Sequence, residues 1–146
     1  MFTVWLPLAP TDAAAGEAPG SETRAPVRTI VLVEDQPDAR RMMQLLLETG
    51  DRQVLTADNG LEGAELIERH RPDLAIVDLG LPVMSGYDLA RRIRASRDHD
   101  GTRLVALSGY GQDSDVQAAL EAGFDEHLTK PPDPEQLEQV LAGRAR

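Results

Sequence analysis

The stretch LAIVDLGLP, residues 74–82, places four apolar residues directly before the carboxylate of Asp78. Two further runs, IVLV at residues 30–33 and LVAL at residues 104–107, have the same texture. Short apolar runs without alternation are typical of strands that are buried on both faces, as in parallel sheets. The three runs therefore predict buried strands, each with polar residues at its carboxyl end.

Helical spacing of apolar residues lies between and after these strands. Four such segments begin near Pro37, Gly60, Gly86 and Asp113, and a last one contains Leu137, Val140 and Leu141. Weaker strand patterns cover residues 53–57 and 126–129. A strand followed by a helix, repeated five times, predicts an α/β fold with a doubly wound parallel sheet.

The bulk composition restricts the classes of function. The 146 residues suffice for one domain with its own core, and the absence of cysteine excludes disulfides and thiolate chemistry. A net charge of -10 argues against direct binding of nucleic acid. No apolar run approaches the roughly 20 residues that span a bilayer, so we expect no membrane contact by this segment and a cytoplasmic location.

The chain divides into two parts at about residue 27. Residues 9–26 are rich in Ala, Pro, Gly, Ser, Thr and Glu without helix or strand period, which is typical of a linker. We expect residues 1–26 to form a tail and linker, and residues 27–146 to form the folded domain.

The residues at the predicted strand ends form a chemical set. They are Glu34, Asp35, Asp78, Ser108 and Lys130, the last being the single lysine of the chain. In open parallel sheets, ligands bind beyond the carboxyl ends of the strands. Clustered carboxylates without thiols suit a hard cation such as Mg²⁺, and aspartate can accept a phosphoryl group whose charge a hydroxyl and a lysine offset. The alternative interpretation is that Asp78 merely begins a turn.

The folded part resembles a response-regulator receiver domain of two-component phosphorelay signalling. The matching motifs are VLVEDQPD, AIVDLGLPVMSGYDLARRIR, LVALSGYG and AGFDEHLTKPP, in the family's order and spacing. The resemblance implies a flavodoxin-like (βα)5 fold with strand order 2-1-3-4-5 and a cis bond between Lys130 and Pro131. It also implies a histidine kinase or a histidine phosphotransfer domain as the phosphodonor; oligomeric state stays open.

The same resemblance implies a role for each site residue. Asp78 matches the phosphoacceptor, and Glu34 and Asp35 match the acidic pair that binds Mg²⁺ together with it. Ser108 matches the switch hydroxyl, and Lys130 matches the lysine that pairs with the phosphoryl group.

Three positions depart from the family pattern or tune it. His127 stands three residues before Lys130, where receivers often carry the aromatic ring of the switch. We expect this histidine to stay near the surface rather than swing inward. Gly80 and Tyr110, two residues after Asp78 and Ser108, match positions that tune the lifetime of the phosphoryl group.

Other functions compatible with the layout are less favoured. A haloacid-dehalogenase-like phosphatase needs a second aspartate where Gly80 stands, and a flavodoxin-like FMN binder needs a Ser/Thr/Gly-rich loop where the chain has acidic residues 34–38. A degenerate receiver that only binds partners would not need the complete acidic set.

The first residues carry a second, shorter resemblance. FTVWLPLAP, residues 2–10, resembles the closing strand of a histidine-kinase ATP-binding domain. We therefore expect the chain to be the C-terminal receiver of a hybrid sensor histidine kinase, so that the parent protein would be an enzyme. The alternative is an ordinary N-terminal extension.

Overall fold

A computed structural model describes residues 27–48, 52–109 and 113–142, without the side chains of residues 113–115. The five strands are β1 Thr29–Val33, β2 Gln53–Ala57, β3 Leu74–Asp78, β4 Arg103–Ser108 and β5 Glu126–Thr129. The five α-helices are α1 Pro37–Leu47, α2 Gly60–His70, α3 Gly86–Arg94, α4 Asp113–Ala122 and α5 Pro134–Leu141. A short 3₁₀ helix covers Arg97–His99. The tail predicted for residues 1–26 lies outside the described residues.

The strands form one parallel sheet in the order β2-β1-β3-β4-β5. This order confirms the predicted doubly wound topology. All five residues of β3 are buried, because β1 and β4 flank this strand and helices cover both faces. From β1 the chain adds β2 on one side of the sheet and then crosses to add β3 on the other side. The strand order therefore reverses between β1 and β3, and such folds bind ligands in the crevice at this point.

Two apolar cores lie on the two faces of the sheet. Alternate strand residues such as Val31 and Val77 pack with helices α2, α3 and α4, whereas Ile30 and Ile76 pack with α1 and α5. This division follows from the two-residue side-chain period of a strand. Each fully buried side chain of this size contributes about 1.5–3 kcal/mol to folding.

Side-chain caps fix the starts of α2 and α3, as Asp133 does for α5. Asn59 Oδ1 accepts a hydrogen bond from the amide of Glu62 at 2.8 Å, and Ser85 Oγ accepts one from the amide of Asp88 at 3.2 Å. Such caps contribute about 1 kcal/mol each. They also fix where the preceding loops end, next to the carboxyl edge of the sheet. Within the described ranges, no helix has the length and apolarity to cross a membrane.

Candidate functional site

The predicted site residues meet at the carboxyl edge of the sheet. Asp78 ends β3, Ser108 ends β4, Glu34 directly follows β1, and Lys130 directly follows β5. Parallel strands end at the same edge, so four separate stretches of sequence deliver these side chains to one place.

The carboxylate of Asp78 is held from two sides. Its Oδ2 lies 2.7 Å from Lys130 Nζ, and its Oδ1 accepts a hydrogen bond from the amide of Gly80 at 3.1 Å. The side chain is only 10% exposed. A Cβ on Gly86 would lie 2.5 Å from the carbonyl oxygen of Asp78, so glycine is what allows α3 to begin against the end of β3.

Glu34 shares the same ammonium group. Its Oε1 lies 2.8 Å from Lys130 Nζ, and its Oε2 accepts a hydrogen bond from the amide of Gln36 at 3.1 Å. The side chain is 1% exposed. The peptide bond after the lysine, Lys130-Pro131, is cis, as the resemblance implied.

Three carboxylates cluster at this edge of the sheet, and two of them contact the Lys130 ammonium. One oxygen each from Glu34, Asp35 and Asp78 lies within 4.8 Å of the others. Burial, and secondarily the charge of Asp78, raise the pKa of Glu34 despite the opposing hydrogen bonds from Lys130 and Gln36. Burial therefore outweighs the stabilisation that Lys130 gives to the charged form of Glu34. An oxygen-only donor set of this charge and spacing fits a hard divalent cation such as Mg²⁺.

The surroundings favour the charged form of Lys130, in contrast to Glu34. Burial alone would lower the pKa of its ammonium, but the hydrogen bonds to Asp78 and Glu34 outweigh burial and raise it. The lysine therefore stays charged at neutral pH and supplies a fixed positive charge beside Asp78.

Ser108 lies beside His127. Its Oγ and the Nε2 of His127 are 2.8 Å apart, a hydrogen-bond distance. His127 is partly exposed on the edge strand β5, as expected of a residue near the surface, and its ring nevertheless reaches the buried Ser108. The cause is the strand register: His127 pairs with Ala106, two residues before Ser108, so both side chains share one face of the sheet.

The two positions expected to tune phosphoryl lifetime differ in what is described. Gly80 is exposed, and a Cβ placed there would meet no atom within 4 Å. The space beside Asp78 is therefore open on this side. Tyr110 lies outside the described residues.

An apolar surface borders the charged cluster, and the sequence did not predict its extent. Met43 is buried, whereas Met42 is 62% exposed, and Leu45 and Leu46 are exposed as well. An open cavity of about 360 Å³ runs from this part of α1 to Lys130 and Pro131. The available signal was the stretch 42–47, in which every residue except Gln44 is apolar and which is therefore wider than one buried helix face.

Val83 is a further residue that the sequence analysis missed. It is 79% exposed and has a φ of 70°, and the amide of Met84 donates to the carbonyl oxygen of Pro82 at 2.7 Å. A hydrogen bond between residues two apart around a positive φ is a strained γ-turn. A β-branched residue is unusual in this conformation.

Comparison with known proteins agrees with the motifs. The family of the response regulator receiver domain matches residues 30–142. A Leptolyngbya boryana protein described as "Uncharacterized 14.6 kDa protein in sodA1 3'region" is 38% identical over 112 residues, which cover 77% of this chain and 86% of that protein. Sensor protein GacS of Pseudomonas syringae pv. syringae is 29% identical over 92% of this chain and 15% of its own length.

Solved structures show the same fold. The receiver domain of sensor histidine kinase PA1611 from Pseudomonas aeruginosa PAO1, with a magnesium ion coordinated in its active-site cleft, is 29% identical with a TM-score of 0.72. That match covers 81% of this chain and 99% of the other. The receiver domain of Saccharomyces cerevisiae Ssk1, crystallised with the histidine phosphotransfer protein Ypd1, is 26% identical with a TM-score of 0.73, over 80% and 87% of the two chains.

Many curated relatives are longer than this chain. The chain spans 49% of Response regulator Rre1 of Synechocystis and 44% of the transcriptional regulatory protein AfsQ1 of Streptomyces coelicolor. The family match nevertheless covers more than half of the present sequence. The chain therefore belongs to the response regulator receiver domain family, the phosphoacceptor module of two-component signalling.

Proposed function

We propose that Asp78 accepts a phosphoryl group from a phosphohistidine in a Mg²⁺-dependent reaction, and that the chain acts as a switch in a phosphorelay. The observation that carries the proposal is the placement of Lys130 Nζ, 2.7 Å from Asp78 and 2.8 Å from Glu34, at the edge of a three-carboxylate cluster. This arrangement presents a carboxylate nucleophile next to a fixed cation.

The transfer requires one bond to form and one to break. A carboxylate oxygen of Asp78 forms a bond to phosphorus while the bond from phosphorus to the donor imidazole nitrogen breaks; the donor ring carries a proton on its other nitrogen, so it leaves as a neutral imidazole. Lys130 offsets the charge on the phosphoryl oxygens, and the Ser108 hydroxyl donates a hydrogen bond to one of them. The amide of Gly80 already fixes the orientation of the carboxylate before the reaction.

Glu34, Asp35 and Asp78 are the residues that would hold Mg²⁺. Their oxygens are close enough for one cation, and their excess negative charge favours one. When bound, Mg²⁺ would neutralise charge on the phosphoryl oxygens during transfer. The magnesium ion in the cleft of the PA1611 receiver domain supports this part of the proposal.

The donor in this proposal is a histidine kinase or a histidine phosphotransfer domain. The exposed apolar face of α1, formed by Met42, Leu45 and Leu46, lies beside the cavity that leads to Lys130. Exposed apolar surface of this kind suits a protein partner, and its position would bring a partner's histidine toward Asp78. The complex of Ypd1 with the Ssk1 receiver domain supports this choice. A cytoplasmic location is part of the same proposal.

A hybrid sensor histidine kinase is the parent protein that we propose. The match to GacS covers 92% of this chain, whereas residues 27–146 make up 120 of the 146 residues. The match therefore extends into residues 1–26, and the separate resemblance of FTVWLPLAP to a kinase strand supports the same parent.

Incubation with acetyl phosphate and Mg²⁺ tests the proposal. We expect the intact mass to increase by one phosphoryl group in the wild type and to stay unchanged in Asp78→Asn. Asp73→Asn is a matched control at the other end of β3, where its carboxylate binds the amides of Arg28 and Thr29. Equal phosphorylation of the wild type and Asp78→Asn would refute the proposal.

A further inference from the structure

The contact between Ser108 and His127 joins two neighbouring strands at the site. Ser108 ends β4 and is buried, and His127 lies on β5, the edge strand of the sheet. Their polar atoms are 2.8 Å apart. A histidine on an edge strand thus bonds to the hydroxyl at the end of β4, the strand that neighbours β3.

Asp78 and His127 lie on opposite sides of this hydroxyl. Strand β4 lies between β3 and β5, and Asp78 on β3 is in register with Leu107, the residue before Ser108. Neighbouring strands are about 4.8 Å apart. A Ser108 side chain that turns toward His127 therefore turns toward β5, away from the strand that carries Asp78.

The serine side chain can make only one of these two contacts at a time. The side chain has one rotatable bond that places Oγ, with three staggered positions, and the hydroxyl carries a single hydrogen. A phosphoryl oxygen on Asp78 accepts hydrogen bonds but cannot donate them. Binding it requires Oγ to move toward β3 and to give it that hydrogen.

We propose that His127 is a positioning residue that holds the Ser108 hydroxyl away from Asp78. On phosphorylation of Asp78, the hydroxyl must then break its hydrogen bond to the imidazole. This inference rests on the proposed function of Asp78 as the phosphoacceptor. The histidine then sets the balance between the unphosphorylated and phosphorylated arrangements through one hydrogen bond. In this account the hydrogen bond of His127 sets that balance, and an inward movement of its ring does not.

Two substitutions of His127 separate the hydrogen bond from the ring. Gln presents a terminal polar atom at about the position of Nε2 and keeps the bond without the ring, whereas Phe keeps the ring without the bond. The probe is beryllium fluoride with Mg²⁺, a mimic of the aspartyl phosphoryl group, titrated into each variant. We expect His127→Phe to bind the probe about two- to tenfold more tightly than the wild type, which is the value of one neutral hydrogen bond. His127→Gln should bind it like the wild type.

Nitrogen NMR of the imidazole provides a second readout. We expect the Nε2 resonance of His127 to shift when beryllium fluoride and Mg²⁺ are added, because its bond to Ser108 is lost. Ser108→Ala without the probe should shift that resonance toward the same position. A packing role alone would make Phe resemble the wild type and Gln differ from it, and would leave Nε2 unchanged; either result overturns the inference.

The experiment also distinguishes this inference from the proposed function. If the wild type does not bind beryllium fluoride, or binds it no more tightly than Asp78→Asn does, the role of Asp78 itself is refuted. Normal binding by the wild type with equal affinity in the Phe and Gln variants would refute only the role of His127.

Discussion

Lys130 Nζ lies 2.7 Å from Asp78 Oδ2, so the positive charge that we expect to receive the phosphoryl group already pairs with the acceptor before transfer. The same ammonium pairs with Glu34. Phosphorylation would replace one carboxylate by a group of greater negative charge within the same contact. The lysine therefore has little distance to move, and the site is organised before the donor arrives.

The buried carboxyl of Glu34 predicts a pH dependence of stability. Its pKa is raised from the ordinary value of 4.5 chiefly by burial. A carboxyl whose pKa is higher in the folded state stabilises the fold below about pH 4.5, and this stability is lost as the pH rises through the folded-state pKa. Glu34→Gln cannot ionise, so it does not lose this stability as the pH rises. Without Mg²⁺, the free energy of unfolding of Glu34→Gln at pH 7 should therefore exceed that of the wild type.

Urea unfolding at several pH values measures this difference. The advantage of Glu34→Gln should grow as the pH rises from 4.5 to 7, whereas the control Glu65→Gln, an exposed residue of α2, should show no such trend. A wild type that gains stability over the Gln variant through this range would contradict the role assigned to the buried charge.

Mg²⁺ should stabilise the fold through binding to the carboxylate cluster. At a concentration of one hundred times Kd the expected gain is about 2.7 kcal/mol, because the cation binds only the folded state. Thermal unfolding with and without Mg²⁺ measures the gain. Asp35→Ala should remove most of it, whereas Asp38→Ala, an exposed residue in the first turn of α1, should keep it. Equal gains in the two variants would exclude Asp35 as a ligand.

The γ-turn at Val83 predicts a stabilising substitution. A left-handed backbone costs an L-residue about 1–2 kcal/mol, and glycine avoids this cost while losing about 0.4–1 kcal/mol in the unfolded state. Val83→Gly should therefore raise the free energy of unfolding by about 0.5–1 kcal/mol. Val83→Ala removes the same exposed methyl groups but keeps the strained φ, so chemical unfolding of the alanine variant is the control. A glycine variant no more stable than the alanine variant would show that the turn is unstrained.

The exposed apolar face of α1 predicts a partner-specific defect. Met42→Glu should slow transfer from a phosphorylated histidine phosphotransfer domain by about tenfold, since a charge would have to be desolvated in the contact. Phosphorylation by acetyl phosphate should stay unchanged, because it needs no protein contact. Leu120→Glu places the same charge on the exposed part of α4 and serves as the control. A loss with both phosphodonors would mean that Met42 supports the site itself.

The fold was predictable because its signals are local. The apolar run that ends at Asp78 and the strand patterns at residues 53–57 and 126–129 reappear as β3, β2 and β5 with the same bounds. The strand-end residues could also be predicted to meet, since parallel strands share an edge. The resemblance then supplied the strand order.

The contacts within the site were not predictable from local patterns. The bond between His127 and Ser108 depends on the register of β5 against β4, and the sharing of Lys130 by two carboxylates depends on how three loops pack. The γ-turn at Val83 is formed where Gly60 and Gly86 bring α2 and α3 against the loop after β3. Such features arise from tertiary packing, which the periodicity of a single segment does not encode.

The position of the phosphoryl group tests the central claim most directly. After incubation with acetyl phosphate and Mg²⁺, reduction with borohydride converts an aspartyl phosphate into homoserine, which mass spectrometry of the peptides then locates. We predict homoserine at position 78, with Glu34 and Asp35 unmodified, and none anywhere in Asp78→Asn. Homoserine at another aspartate of the wild type, with Asp78 intact, would contradict the account.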